Sequence, residues 1–335
     1  PAIQPRRCNS HKKKVMLSRV ADSIYWMSRY IERAENIARF VDVVNHLVLD
    51  LPDQEVNQWA SLIQITEDTE RFEQKYGSVT EENVIRFMTF DMDNPNSICS
   101  CLWQARENAR SVRDTISSEM WEQINRSYLM VKDAQSSNRI DDDPAAFFSH
   151  FKKACHLFSG ITDITMTHGE GWHFGRMGRL IERADKTSRM IDVKYFVLLP
   201  RVDYVGSPYD SLQWAALLKS ISAFEMYRKR FQQIIPRQVA DFLILDRQFP
   251  RSMRYCLVKA EESLHAITGS QPSTFGNLVE QRLGRIRADM DYADIQEILD
   301  TGLHEYLDEF QTKLNGVGDA IFQTFFDLSS NAAQH

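Results

Sequence analysis

The chain has 335 residues, is 43% hydrophobic and 26% charged, and so has the make-up of a globular protein with a sizeable core, in one large domain or two ordinary ones. Its net charge of -6 argues against a nucleic-acid binder, because phosphate backbones need a basic footprint. No uninterrupted apolar run approaches the roughly 20 residues of a membrane span, and five cysteines, few and odd in number, fit reduced thiols in a cytoplasm better than a disulfide framework.

Residues 1–15 carry Arg6, Arg7, His11, Lys12, Lys13 and Lys14 without apolar periodicity. They lack the apolar core of a signal peptide and read either as a disordered basic extension or stretch upstream of an expected start at Met16, or as a genuine basic tail. Within residues 22–44, Met27, Tyr30, Ile31, Ala34, Ile37, Ala38 and Val41 recur at helical spacing and form one apolar face at about 100° per residue. Tyr25, Ser28, Glu32, Glu35, Asn36 and Arg39 fall on the opposite, polar face. A second helix is predicted from about Gln58 to Phe72, then a short apolar segment, Val84 to Phe90. A break follows at Asp91–Ser97, with Ser97 placed to cap the next helix. Ile98, Leu102, Ala105, Ala109, Val112 and Ile116 form that helix's buried stripe. Gln135 to Pro144 and Gly269 to Gly276 read as loops. Asp246 to Ser252 repeats the break-and-cap pattern, and strand-like alternation is nearly absent.

The chain also repeats itself. Nine of the seventeen residues 27–43 recur 150 positions later, among them Arg29, Glu32, Arg33, Arg39 and Asp42 as Arg179, Glu182, Arg183, Arg189 and Asp192. Further on the offset is 155: Gln58-Trp59-Ala60 matches Gln213-Trp214-Ala215, and Phe87, Asp91, Pro95, Ser97 and Cys101 match Phe242, Asp246, Pro250, Ser252 and Cys256. One five-residue insertion near Pro200–Tyr204 accounts for the change. The expected fold is all-α, with two bundle-like halves, 16–168 and 169–335, related by pseudo-twofold symmetry after an internal duplication.

The Glu-Arg pairs, Glu32-Arg33 and Glu182-Arg183, are kept while core positions drift (Tyr30 to Leu180, Ala38 to Ser188). A merely solvated face should drift faster than a core. Each arginine sits about 100° from its glutamate, at the flank of the polar face, where it can reach a neighbouring helix and pair bidentately. Arg106, Arg110 and Arg113 recur at i, i+4 and i+7, beside Glu107 and Asn108. Such a row calls for acidic residues of a partner helix or an anionic ligand. The second copy lacks it, which points to a ligand nearer the first. His168-Gly-Glu170-Gly-Trp172-His173 reads as a loop, with metal binding as its weaker reading. Cys99-x-Cys101 lacks the second close pair that a zinc site needs, Trp59 and Trp214 read as core anchors, and no cofactor motif is present.

These residues together resemble the bacterial alpha-E family, named for an α-helical domain with a Glu-Arg motif. The marks run from Met16-Leu-Ser-Arg-Val-Ala-Asp-Ser-Ile-Tyr-Trp-Met-Ser-Arg-Tyr-Ile-Glu-Arg-Ala-Glu-Asn36 through Asn94-Pro-Asn-Ser97, Ala105-Arg-Glu-Asn-Ala-Arg-Ser-Val-Arg-Asp114, Trp121-Glu-Gln-Ile-Asn125, Glu170-Gly-Trp172 and Arg179-Leu-Ile-Glu-Arg-Ala-Asp185 to Phe249-Pro-Arg-Ser252. The resemblance implies association with a circularly permuted ATP-grasp ligase and a transglutaminase-like peptidase, hence with amide- or peptide-bond formation. Three roles stay open on this reading. The chain is a helical partner of such a ligase, binding an anionic substrate or the ligase through Arg29, Arg33, Arg39, Arg106, Glu107, Asn108, Arg110, Arg113, Arg179 and Arg183. Alternatively it is an enzyme with Glu32 or Glu182 as acid-base group, or a purely structural module with its Glu-Arg pairs buried as ion pairs.

Overall fold

The computed structural model describes residues 16–50, 55–66, 68–137, 140, 143–198 and 208–327. The basic extension 1–15 and the insertion at 200–204 lie outside these. The fold is all-α: the described residues form fifteen α-helices, and no strand is found among them. In chain order they are α1 (Ser18–Asp50), α2 (Glu55–Ile65), α3 (Thr69–Tyr76), α4 (Glu81–Thr89), α5 (Ile98–Ser111), α6 (Ser118–Ser137), α7 (Pro144–Thr165) and α8 (Glu170–Leu198). There follow α9 (Pro208–Ser220), α10 (Phe224–Arg230), α11 (Pro236–Ile244), α12 (Met253–Thr268), α13 (Leu278–Tyr292), α14 (Ile295–Thr301) and α15 (Leu303–Ile321), which runs into one π-helical turn, Phe322–Phe326.

Two elements differ from expectation. The single helix read over Gln58–Phe72 is two, α2 and α3, broken at Thr66 and Asp68. There the Thr66 hydroxyl donates back to the Leu62 and Ile63 carbonyls, a local bond that competes with helix continuation. The Glu170–His173 stretch is the first turn of α8, not a loop. Its glycines are there for proximity. A Cβ on Gly171 would lie 2.9 Å from the Met16 side chain, and one on Gly178 would lie 2.7 Å from the Tyr25 carbonyl oxygen. Gly171 is near Met16 and Ile24, Gly178 near Tyr25 and Arg29, and Glu182 meets Arg29 and Arg33. α1 and α8 therefore ascend side by side in the same direction, and they form the most extensive helix pair of the fold.

Around this pair the other helices are arranged alike on both sides. α5 packs on α1 as α12 packs on α8, and α7 lies on α1 as α15 lies on α8. α2 crosses to α8 while α9 crosses to α1. Positions 155 apart make matching contacts. Ser97 and Ser252 cap α5 and α12 by accepting from Ser100 N and Tyr255 N. Cys101 and Cys256 donate Sγ–H to the Pro95 and Pro250 carbonyls. Lys75 pairs with Asp91, and Arg230 with Asp246. Trp59 and Trp214 are core residues.

The glycines yield a test of this packing. Gly178→Ala adds a methyl group against backbone that cannot turn aside, and should destabilise by about 1–3 kcal/mol, as overpacking does. Gly160, in α7 and exposed, has nothing within 4 Å of an added Cβ. Gly160→Ala should stabilise by up to about 1 kcal/mol through helix propensity alone. Urea denaturation of both variants reads the two signs, and like signs would count against the close approach.

Candidate functional site

α1 presents a polar face that is as buried as its apolar one: Glu32, Glu35, Asn36 and Arg39 are each at most 2% exposed. It can be buried because α8 brings a matching polar face, and each glutamate is met by the arginine of the other helix. Arg33 donates Nε to Glu182 Oε1 at 2.6 Å and Nη2 to Oε2 at 3.2 Å. Arg183 donates Nε to Glu32 Oε1 at 2.8 Å and Nη2 to Oε2 at 2.7 Å. Both are bidentate forks, the strong form of this pairing. The pairs are thus reciprocal between helices, not local to each.

Beyond these forks the two carboxylate sites diverge. Glu182 also accepts Arg29 Nε at 2.8 Å, with Lys186 at 3.7 Å. Asp185, beside it, takes Lys186 at 2.7 Å and Arg189 at 3.3 Å. At the other site Glu32 and Glu35 take Arg251 from the loop before α12, and Glu35 also takes Arg39 and His156. Lys186 corresponds to Asn36, and Arg251 to Asn96, whose Oδ1 accepts from Arg33 Nη1. The extra cation comes from the helix at one site and from the loop at the other, and an asparagine fills each remaining place.

Burial pushes the Glu182 carboxyl up, but Arg33, Arg29 and Lys186 outweigh it and hold it well below the usual carboxylate range. Glu35 is likewise held well below by Arg251 and Arg39, against burial, and Glu32 and Asp185 are lowered in the same way. Burial and neighbouring Arg39 push Arg251 down to about 10, so it stays charged at neutral pH. Four carboxyls with depressed folded values contribute stability that is complete above their unfolded values, about 4.5 for Glu and 3.8 for Asp, and that is lost as pH falls below them. Asp22, Asp68 and Asp192, raised by burial, act in the opposite sense. Urea midpoints measured down the pH scale should hold level to about pH 5 and then fall with a slope above one proton per pH unit. A level profile to about pH 3 would contradict it.

One of the two sites opens onto a cleft. A cavity of about 510 Å³ lies between α1, α8 and α15, with the π-helical turn at its rim. Arg29, Arg33, Lys186 and Arg189 line it with side chains 14–17% exposed, while Glu182, behind them, is 0% exposed. Arg29 lies 4.8 Å over the Trp26 ring and donates to the Tyr25 hydroxyl. Tyr25, Trp26, Phe40, Phe322 and Phe326 supply an aromatic wall, and Asn96, Asn315 and Asp319 add polar groups. The corresponding space beside Glu32, between α1, α7 and α8, measures only about 10 Å³.

The remaining candidates lie elsewhere. Arg39 is fully buried and donates to Glu35 and the Ser220 carbonyl. Arg179 and Arg183 belong to the Glu32 side. The Arg106 row does not line the cleft. Arg106 donates to Asn125 at 2.6 Å and lies over the Trp121 and Tyr128 rings, and Arg113 lies over Trp121. Aromatic faces of α6 meet the row, and Glu107, on the row's own helix, also pairs with Arg106 at 3.4 Å. Arg110 turns to Glu107 on its own helix, one residue before Asn108, whose carbonyl accepts from Ser111. Glu170 accepts from Met16 N, and His168 stacks on Trp172 at 4.0 Å. No group of three metal-ligating side chains is found among the described residues. Cys101 and Cys256 are pushed up to about 12 by burial, which leaves both thiols protonated and unreactive.

Residues 16–326 match the model of the Alpha-E family, described as a predicted α-helical domain with a conserved Glu-Arg motif. Uncharacterized proteins of Mycobacterium bovis and Mycobacterium tuberculosis are each 24% identical over an alignment of 344 residues, covering 96% of this chain. The chain spans 38% of the length of these relatives. No solved structure matches it significantly, and no helix among the described residues is long and apolar enough to cross a membrane.

Proposed function

The chain belongs to the Alpha-E family, and from that premise we propose that it is a binding partner in a cytoplasmic amide- or peptide-bond-forming system. It holds an anionic substrate in the cleft between α1, α8 and α15 for a circularly permuted ATP-grasp ligase, with a transglutaminase-like peptidase as a further associate. One observation carries the substrate half of this reading: four cations face the cleft, with the fully buried Glu182 behind Arg29 and Arg33 and with Asp185 beside Lys186 and Arg189 in the wall. The cations are thereby fixed in place before any ligand arrives, and an anion entering meets four of them against two lining carboxylates, Asp185 and Asp319. The aromatic wall suits an anionic group on an apolar body.

The acid-base alternative finds no support in Glu32 or Glu182. A general base must accept a proton near neutral pH. Both carboxylates are held below their usual range, and their oxygens are engaged by guanidinium groups. The structural reading suits the Glu32 side, where Arg183, Arg251 and Arg39 close the site.

Acetyl phosphate and inorganic phosphate titrated against the protein test the proposal, with Trp26 fluorescence as the reporter because Arg29 lies on its ring. A saturable change is expected, at least tenfold weaker in Arg189→Gln and absent in Trp26→Phe. No saturable change with either probe would sink the substrate half. Failure of the ligase and this chain to associate at micromolar concentration would sink the partner half.

A further inference from the structure

We propose a second anion site, separate from the cleft, in which Arg179 binds a compact anion no larger than a carboxylate group. Arg179 corresponds to Arg29, and the comparison shows what it lacks. Arg29 has Glu182, the Tyr25 hydroxyl and the Trp26 ring. At the matching positions Arg179 has Glu32 already taken by Arg183 and Arg251. It has Gly175 in place of the tyrosine and Arg176 in place of the tryptophan. Arg251 has displaced it from its carboxylate, the hydroxyl is gone, and the aromatic face is now a second cation. Its Nε is buried without a hydrogen-bond partner.

A buried donor nitrogen without a partner costs the fold its full desolvation, and more so on a charged group. The small space beside it fits what is missing. The pocket of about 10 Å³ admits one water-sized atom, and so takes a halide or a single oxygen of a carboxylate. Arg179 and Arg176 line it together with Ser28, Ser159, Thr162 and Glu32, whose charge is already met by Arg183 and Arg251. The Thr162 hydroxyl is given to the Phe158 carbonyl, which leaves two guanidinium groups and the Ser28 and Ser159 hydroxyls to donate, a set that favours an anion. Arg176 is steadied from outside, with its guanidinium 5.3 Å over Trp172 and Nη2 3.5 Å from Glu262. Asp163 and Glu32 supply the nearest negative charge to Arg179, neither within hydrogen-bond distance of it.

Bromide and formate are the probes. Crystals soaked in sodium bromide should show an anomalous peak within hydrogen-bonding distance of the Arg179 guanidinium. In solution, formate at fixed ionic strength should raise the melting temperature in proportion to its logarithm, as ligands of the native state do. Arg179→Met, which removes the unpaired charge at similar volume, should fold and lose this dependence. Arg189→Gln, in the cleft, should retain it, which separates this site from the proposed substrate site. A merely structural arginine would change the melting temperature equally at every formate concentration. An empty pocket in the bromide map, or a formate dependence that survives in Arg179→Met, would overturn the proposal.

Discussion

Glu182→Gln should lower the stability of the protein by about 3–5 kcal/mol, the scale for breaking a buried pair by removing one partner. The substitution keeps the size of the side chain and removes one charge. Arg29, Arg33 and Lys186 all point at that charge, and the amide can accept from one guanidinium but presents an NH2 to the other. Three cations would then share a wall with Asp185 alone. Glu107→Gln is the matched control. Its carboxylate pairs with Arg110 at the surface, with the arginine 67% exposed, and exposed pairs are worth about 0–1 kcal/mol. Denaturation of the two variants should differ severalfold, and equal losses would contradict the description of the Glu182 site.

Arg251→Asn should be as damaging, about 3–5 kcal/mol, because Glu32 and Glu35 lose the cation they share. The two sites offer a specific remedy. At the Glu182 site the loop holds asparagine and the helix holds lysine, so Asn36→Lys added to Arg251→Asn reproduces that arrangement at the other. The double variant should recover part of the loss, with an interaction energy of about 1–3 kcal/mol in a double-mutant cycle. Asn36→Lys alone should destabilise, since it places a fourth cation beside Arg183, Arg251 and Arg39. Additive losses would show that the two sites do not solve one charge balance in two ways.

Much of this was legible in the residues. The all-α class followed from period 3.6 in α1 and α5 and from the caps at Ser97 and Ser252, both local properties. The reach of Arg33 and Arg183 to a neighbouring helix followed from their angle to the glutamates. What faced them did not. A helical wheel identifies the polar side of α1 but not its environment, and here a second polar face buries it. Arg251 sits in a loop, outside any periodicity. It could have been found by comparing Asn94-Pro-Asn-Ser97 with Phe249-Pro-Arg-Ser252, and noting the opposite change from Asn36 to Lys186. The cleft was hidden more deeply, because α15 supplies Leu314, Asn315, Gly318 and Asp319 from a stretch without recognisable motif. The charge of the Arg106 row asks for an acidic partner helix or an anionic ligand, and spacing alone does not reveal that Glu107 pairs with Arg106 and Arg110 while Trp121 and Tyr128 lie against Arg106 and Arg113.

The reciprocal forks between α1 and α8 also set an order of events during synthesis. Glu32 is joined to the growing chain about 150 residues before Arg183 exists. At about 5–20 residues per second the ribosome takes roughly 8–30 s to supply that partner, and longer to reach Arg251. Through this interval the polar face of α1 cannot enter a dry interior, since Glu32 has no cation, and Arg29 and Arg33 no carboxylate, to carry in with them. The amino-terminal helices must therefore wait in a loose, hydrated state, and the nascent chain is exposed to chaperones and proteases until α8 and the loop before α12 have emerged.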